Sequence, residues 1–132
     1  MIDDYFSIER CTSESPQKGI VRVRLNPDSR VYEGHFPDAP VSPGVCNIEM
    51  IRRCAEAIHG HELRIRTIKQ CRLTTLMTPL SHPQADVRVE LQEIQWGTSP
   101  NVQKEPGVYR LTASIGEGDD TYLTLKADVS DE

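Results

Sequence analysis

Val45 to Ile58 is the one convincing helical stretch in this chain. It contains neither Pro nor Gly, and Val45, Ile48, Ile51, Ala55 and Ile58 recur at the spacing that places them on one helix face. Gly60 stands where a left-handed residue closes a helix. Most of the remaining pattern alternates with period two. Tyr5 to Cys11 is a short strand candidate, and Val21, Val23 and Leu25 alternate with Arg22 and Arg24. Val87, Val89 and Leu91 alternate with Arg88, Glu90 and Gln92; Tyr109, Leu111, Ala113 and Ile115 with Arg110, Thr112 and Ser114; Leu123, Leu125, Ala127 and Val129 with Thr124, Lys126 and Asp128. Leu63 to Leu73 is a longer strand whose alternation loses phase near Ile68, which predicts an irregularity there. Ser13 to Gly19 and Gly116 to Asp120 carry turn residues. The order is β-β-α-β-β-β-β, each strand has one apolar face, and one helix is available to cover it. The expected fold is therefore α+β, a curved antiparallel sheet wrapped around one central helix. Its open edges predict pairing into a dimer.

Asn26 to Gly44 is different in kind. Pro27, Gly34, Pro37, Pro40, Pro43 and Gly44 interrupt it, which predicts a stiff loop without secondary structure. At 132 residues the chain has room for one domain, taken as 1–132. The formal net charge of −5 argues against a general nucleic-acid binder, and 5% aromatics argue against a base-stacking surface. The sequence shows no apolar run long enough to span a membrane and no basic, apolar leader at MIDDYFSIER. Cys11, Cys46, Cys54 and Cys71 show no C-x-x-C spacing, so reduced thiols in a cytoplasmic protein are expected.

The stretch that carries chemistry runs from Tyr32 to Glu49. It reads Tyr-Glu-Gly-His35-Phe36-Pro-Asp-Ala-Pro-Val41-Ser42-Pro-Gly44-Val-Cys46-Asn47-Ile-Glu49. Glu49 follows His35 by fourteen positions. This segment resembles the 3-hydroxyacyl-(acyl-carrier-protein) dehydratases of the hot-dog fold, in which His-Phe-Pro-x-x-Pro-Val-Met-Pro-Gly-Val leads to a helical Glu or Asp at that same separation. The strand order also fits a hot dog. The resemblance implies dehydration of 3-hydroxyacyl thioesters, linked to an acyl carrier protein or to coenzyme A, to trans-2-enoyl thioesters. It implies that His35 and Glu49 meet across a homodimer interface at the end of an acyl tunnel. It also implies that the Val41 carbonyl holds the His35 ring and that the Gly44 N–H binds the thioester carbonyl, with no cofactor and no metal.

The residues point the same way. Dehydration needs a group to remove the proton alpha to the carbonyl, one to handle the departing hydroxyl, and a donor for the enolate-like oxygen. An imidazole titrates near neutrality, and three prolines after His35 would hold it on a stiff loop. Glu49 falls on the second helical turn, where burial is expected to raise its pKa. Gly44 opens the helix, where its N–H lies at the positive end of the dipole with no side chain to block a substrate. Phe36 is read as core or tunnel wall.

Departures from the pattern bear on substrate range. Ser42 stands where the family has Met, and Cys46-Asn47 replaces an apolar residue after Gly-Val. The helix continues Glu49-Met50-Ile51-Arg52-Arg53 in place of Glu-Ala-x-Ala-Gln, and Thr78 to Pro83 fills the place of a Pro-Gly-Asp turn. Arg53, four residues past Glu49, would favour the ionised carboxylate. These changes point to a specialised pathway. Cys46 is either a reactive thiol at a helix start or a small packing residue. Arg64, Arg66, Lys69 and Arg72 are either a solvated strand face or a dock for an acidic carrier. His59, His61 and His82 with Cys54 or Cys71 lack metal-site spacing. Two rivals stay open: a hot-dog thioesterase, and a non-catalytic acyl-binding partner subunit.

Overall fold

The computed structural model describes residues 4–34, 42–94 and 107–131. Along the chain these form β1 (Phe6–Ser15), β2 (Lys18–Leu25), α1 (Val31–Gly34), α2 (Gly44–His59), β3 (Arg64–Leu73), β4 (Gln84–Glu93), β5 (Val108–Glu117) and β6 (Asp120–Ser130). The strands make one antiparallel sheet in the order β1-β2-β4-β5-β6-β3. The chain leaves the sheet at β2, near one edge, and returns at β3, the opposite edge. α2 lies within that crossing and packs against β1, β2, β3, β4 and β5. No helix among the described residues is long and apolar enough to cross a membrane.

Cross-strand register lines up the apolar residues in rows beneath the helix. Val21 pairs with Val87, Val87 with Ile115, and Ile115 with Leu123. Leu91 pairs with Leu111, and Leu111 with Ala127. From the other side α2 buries Met50, Ile51, Cys54, Ala55 and Ile58. Each large side chain taken fully from water here is worth about 1.5–3 kcal/mol. The outer face is polar and cross-linked: Arg22 bridges Asp86 at 3.2 Å and Glu117 at 2.7 Å.

The helix begins and ends where the sequence places it. Gly60 adopts φ 87° and its N–H bonds the Glu56 carbonyl at 2.8 Å, closing α2. Val45, however, is 75% exposed and takes no part in the apolar face. β1 is longer than the expected Tyr5–Cys11, and the turn shrinks from Ser13–Gly19 to Pro16-Gln17, because Ser15 pairs with Lys18. The loop from Asn26 contains the helical turn α1, which is too short to show a period in sequence. The second hairpin tightens to Gly118-Asp119, with Gly118 at φ 59° and Gly116 inside β5.

The expectation that every strand has an apolar face fails at the edges. β1 and β3 are exposed along nearly their whole length. Both carry register shifts, in β1 between Ile8 and Arg10 and between Ser13 and Ser15, in β3 between Ile65 and Thr67 and between Ile68 and Gln70. A bulge swaps the faces of the residues beyond it, so no continuous apolar side survives. The shift at Ile68 is where the alternation loses phase in the sequence.

Candidate active site at the start of the long helix

α2 starts where it does because Pro43, with φ −66° and ψ 142°, holds the chain extended and cannot continue a helix backwards. Its carbonyl accepts the N–H groups of Cys46 and Asn47, each at 3.1 Å. Pro43 offers no side-chain cap. The Gly44 and Val45 N–H groups thus precede the first intrahelical bonds, at the positive end of the helix dipole. Gly44 is exposed, and a methyl group built on it would meet nothing within 4 Å among the described residues.

Beneath the same end lies a buried polar cluster that the sequence did not reveal. The Ser42 N–H donates to the Met77 carbonyl at 2.8 Å, pinning the approach to the helix. Tyr32 and Ser42 join through their hydroxyls at 3.0 Å, and the Tyr5 hydroxyl donates to Asn47 Oδ1 at 2.5 Å. Burial pushes the Tyr5 and Tyr32 phenols up, so both stay protonated. The signal that could have found the cluster is Asn47 itself, a polar residue in the face shared by Ile51, Cys54 and Ile58.

Glu49 lies on the second turn, half-buried. Arg52 grips both its oxygens, Nη2 to Oε1 at 2.5 Å and Nε to Oε2 at 2.9 Å. Arg53 Nε reaches Oε1 at 3.4 Å. Arg52 is itself held, its Nη1 donating to Glu56 at 2.7 Å and to the Leu63 carbonyl at 3.0 Å. The hydrogen bond from Arg52 holds the Glu49 carboxyl below the usual glutamate value, and Arg53 adds to the effect. The expected upward shift is thus reversed, because charge-assisted bonds outweigh partial burial. The pull expected from Arg53 is present, but Arg52 exerts most of it. A cavity of about 440 Å³ adjoins this ion cluster, lined by Arg52, Glu56, Leu63 and Arg64 among others.

Gly44 and Glu49 are placed on one helix, five residues apart. Helix geometry separates such positions by about 140° around the axis and about 7.5 Å along it. The Gly44 N–H points out of the helix end along its axis, whereas Glu49 stands on the side of the second turn. His35, Phe36 and Val41 lie outside the described residues. Cys46 is buried and that burial pushes its thiol up, which favours the packing reading over the reactive one. Cys54 is pushed up to about 12 for the same reason, and all four cysteines are free. His59 is occupied with Asp131 at 3.1 Å and the Pro16 carbonyl at 3.2 Å, while His82 Nδ1 accepts the Thr78 N–H at 3.2 Å. In the basic stretch, Arg66 donates to Ser130 at 2.9 Å and Lys69 approaches Asp128 at 3.8 Å.

Solved structures share this fold. The dehydratase heterocomplex ApeI:P from Xenorhabdus doucetiae contains a chain matching at TM-score 0.63 and 14% identity, covering 94% of this chain and 96% of that one. An uncharacterized protein from Erwinia carotovora subsp. atroseptica matches at 0.57 and 16%, covering 95% and 93%. A hypothetical thioesterase with coenzyme A from Streptococcus pneumoniae matches at 0.61 and 8%, covering 98% and 89%. At these identities the likeness concerns the fold alone. None of the curated proteins compared matches the chain. The family model of ApeI-like proteins, described as ApeI dehydratase, matches residues 11–105. That span is well over half the chain and contains the whole His35-to-Glu49 segment, the helix start and the ion cluster. The chain belongs to the ApeI-like dehydratase family.

Proposed function

We propose that this protein dehydrates 3-hydroxyacyl thioesters, carried on an acyl carrier protein or on coenzyme A, to trans-2-enoyl thioesters. The observation that carries the reading is the His35-to-Glu49 segment inside the matched family span, ending in an exposed helix start at Gly44. In this reading the Gly44 N–H stabilises the thioester oxygen as negative charge develops on it. His35 exchanges the alpha proton, held by the Val41 carbonyl, and Glu49 handles the hydroxyl. Phe36 lines the acyl tunnel. No cofactor or metal takes part.

The chain acts as a single hot-dog domain, its sheet wrapped about α2, in the cytoplasm. Two copies complete the site. The offset along α2 between the Gly44 N–H, at the helix end, and Glu49, on the side of the second turn, supports this, since a second subunit can bring its own Glu49 to the open end. The edge strand β3 is the pairing surface; its exposed Ile68 and Leu73 support that choice. The basic residues of β3 attract the acidic carrier.

The test is incubation with 3-hydroxyacyl thioesters of several chain lengths, following the absorbance of a conjugated enoyl thioester. His35→Ala and Glu49→Gln should each lower the rate by roughly 100- to 10,000-fold. Undiminished activity in both variants overturns the assignment. The Arg52 grip on Glu49 favours one second reading, a partner subunit that binds acyl carrier without turning it over. The ApeI:P heterocomplex of the X. doucetiae neighbour supports considering it. In that case the pure protein binds the carrier and forms no enoyl product.

A further inference from the structure

We propose that Arg52 is a positioning residue that fixes Glu49 as a hydrogen-bond acceptor for the substrate's hydroxyl group, so that Glu49 does not supply the proton that leaves with it. This rests on the dehydratase reading above. The fork is the ground for it. Two N–H donors of one planar guanidinium point at the two oxygens of one carboxylate. Protonating Oε1 would set an O–H against an N–H, and protonating Oε2 would take its one remaining acceptor site and the charge that both bonds rely on. The guanidinium cannot readily turn away, because its remaining nitrogen is tied to Glu56 and to the backbone at Leu63. Glu56 is fixed in turn by the Leu63 N–H at 2.8 Å. The clamp therefore ties the second to fourth turns of α2 to the residue that leads into β3.

Lone pairs show what Glu49 has left to offer. Each carboxylate oxygen can accept two hydrogen bonds. Oε1 accepts from Arg52 and from Arg53, whereas Oε2 accepts from Arg52. Among the described residues Oε2 thus keeps acceptor capacity for an incoming hydroxyl. The proton balance closes without Glu49. The Cα–H bond breaks to the His35 imidazole, and its electron pair becomes the second bond to Cβ. The Cβ–O bond breaks with its pair on oxygen, and the imidazolium returns the same proton to that oxygen. Water leaves, and Glu49 ends as it began. A lysine could not do the same work, since a point charge does not hold both oxygens in one plane.

The experiment has two readouts. The Glu49 carboxyl is titrated by carbon-13 NMR, its signal assigned by loss in Glu49→Gln. In the wild type it should titrate below the ordinary glutamate value. Arg52→Gln should raise it well above the wild-type value, Arg52→Lys by less, and Arg53→Gln by least. The rate is then followed against pH. The wild-type rate should fall with the neutral imidazole at first and more steeply as pH drops through the Glu49 titration, and that steeper limb should move to higher pH in Arg52→Gln. A drop in kcat/KM of roughly 100-fold should accompany it. An unmoved titration in both Arg52 variants overturns the proposal, as does a wild-type rate that stays level between the imidazole and Glu49 titrations, the profile of a protonated Glu49 acting as acid. If no 3-hydroxyacyl thioester is turned over while the titration moves as stated, the dehydratase reading fails and the clamp on Glu49 stands.

Discussion

Asn47 is fully buried in a helix face that is otherwise apolar, and its side chain has an acceptor and a donor to satisfy. The acceptor takes the Tyr5 hydroxyl; the donor, Nδ2, finds no partner among the described residues. Removing the Tyr5 hydroxyl would leave a second buried polar atom unpaired. Tyr5→Phe should therefore cost about 1–3 kcal/mol, read as a lower urea midpoint. Carboxylates held by cations give a second expectation. Arg52 lowers the Glu49 carboxyl and Arg22 lowers Glu117. A depressed folded-state pKa contributes stability above the unfolded value of 4.5, and that stability is lost as pH falls through the folded value. The urea midpoint should thus drop as pH is taken below about 4.5. Arg22→Gln should make that drop shallower. Sequence spacing was enough to expect a cation beside Glu49. It was not enough to rank Arg52 above Arg53, because positions three and four along both reach. What ranks them is Glu56 and the Leu63 carbonyl, and the latter belongs to a segment that only the fold brings back.

At the scale of elements, α2 was legible because fourteen or more residues share one period and because Pro43 and Gly60 mark its ends. The four inner strands were legible because one face of each is buried. β1 and β3 were poorly legible, since bulges shift the phase and little burial disciplines the pattern. The register of β2 explains a glycine that sequence reading gave to a turn. Gly19 pairs with Val89 inside the sheet, directly under the end of α2. A Cβ there would press on Ile58 and stand 2.7 Å from the Thr12 carbonyl oxygen. Backbone cannot yield as a side-chain tip can. Gly19→Ala should therefore destabilise by about 1–3 kcal/mol, measured by thermal or urea unfolding, although alanine is ordinarily the better strand residue.

For the whole molecule, the open edges of the sheet carry the consequence. β3 ends the sheet and presents Ile68, at 47% exposure, beside arginines along an edge that no other described strand pairs. In the account given above two copies pair there, and neither is active alone. Sedimentation should give a dimer for the wild type. Ile68→Asp should shift it toward monomer and lower the rate together, as site completion by a second copy requires; a fully active monomer would exclude a shared site. Mass spectrometry of carrier-linked 3-hydroxyacyl substrates reads the proposed loss of water from an intact thioester directly. The product should be lighter by one water and still attached to its carrier. Free carrier thiol with released acid, or substrate of unchanged mass that stays bound, would contradict it.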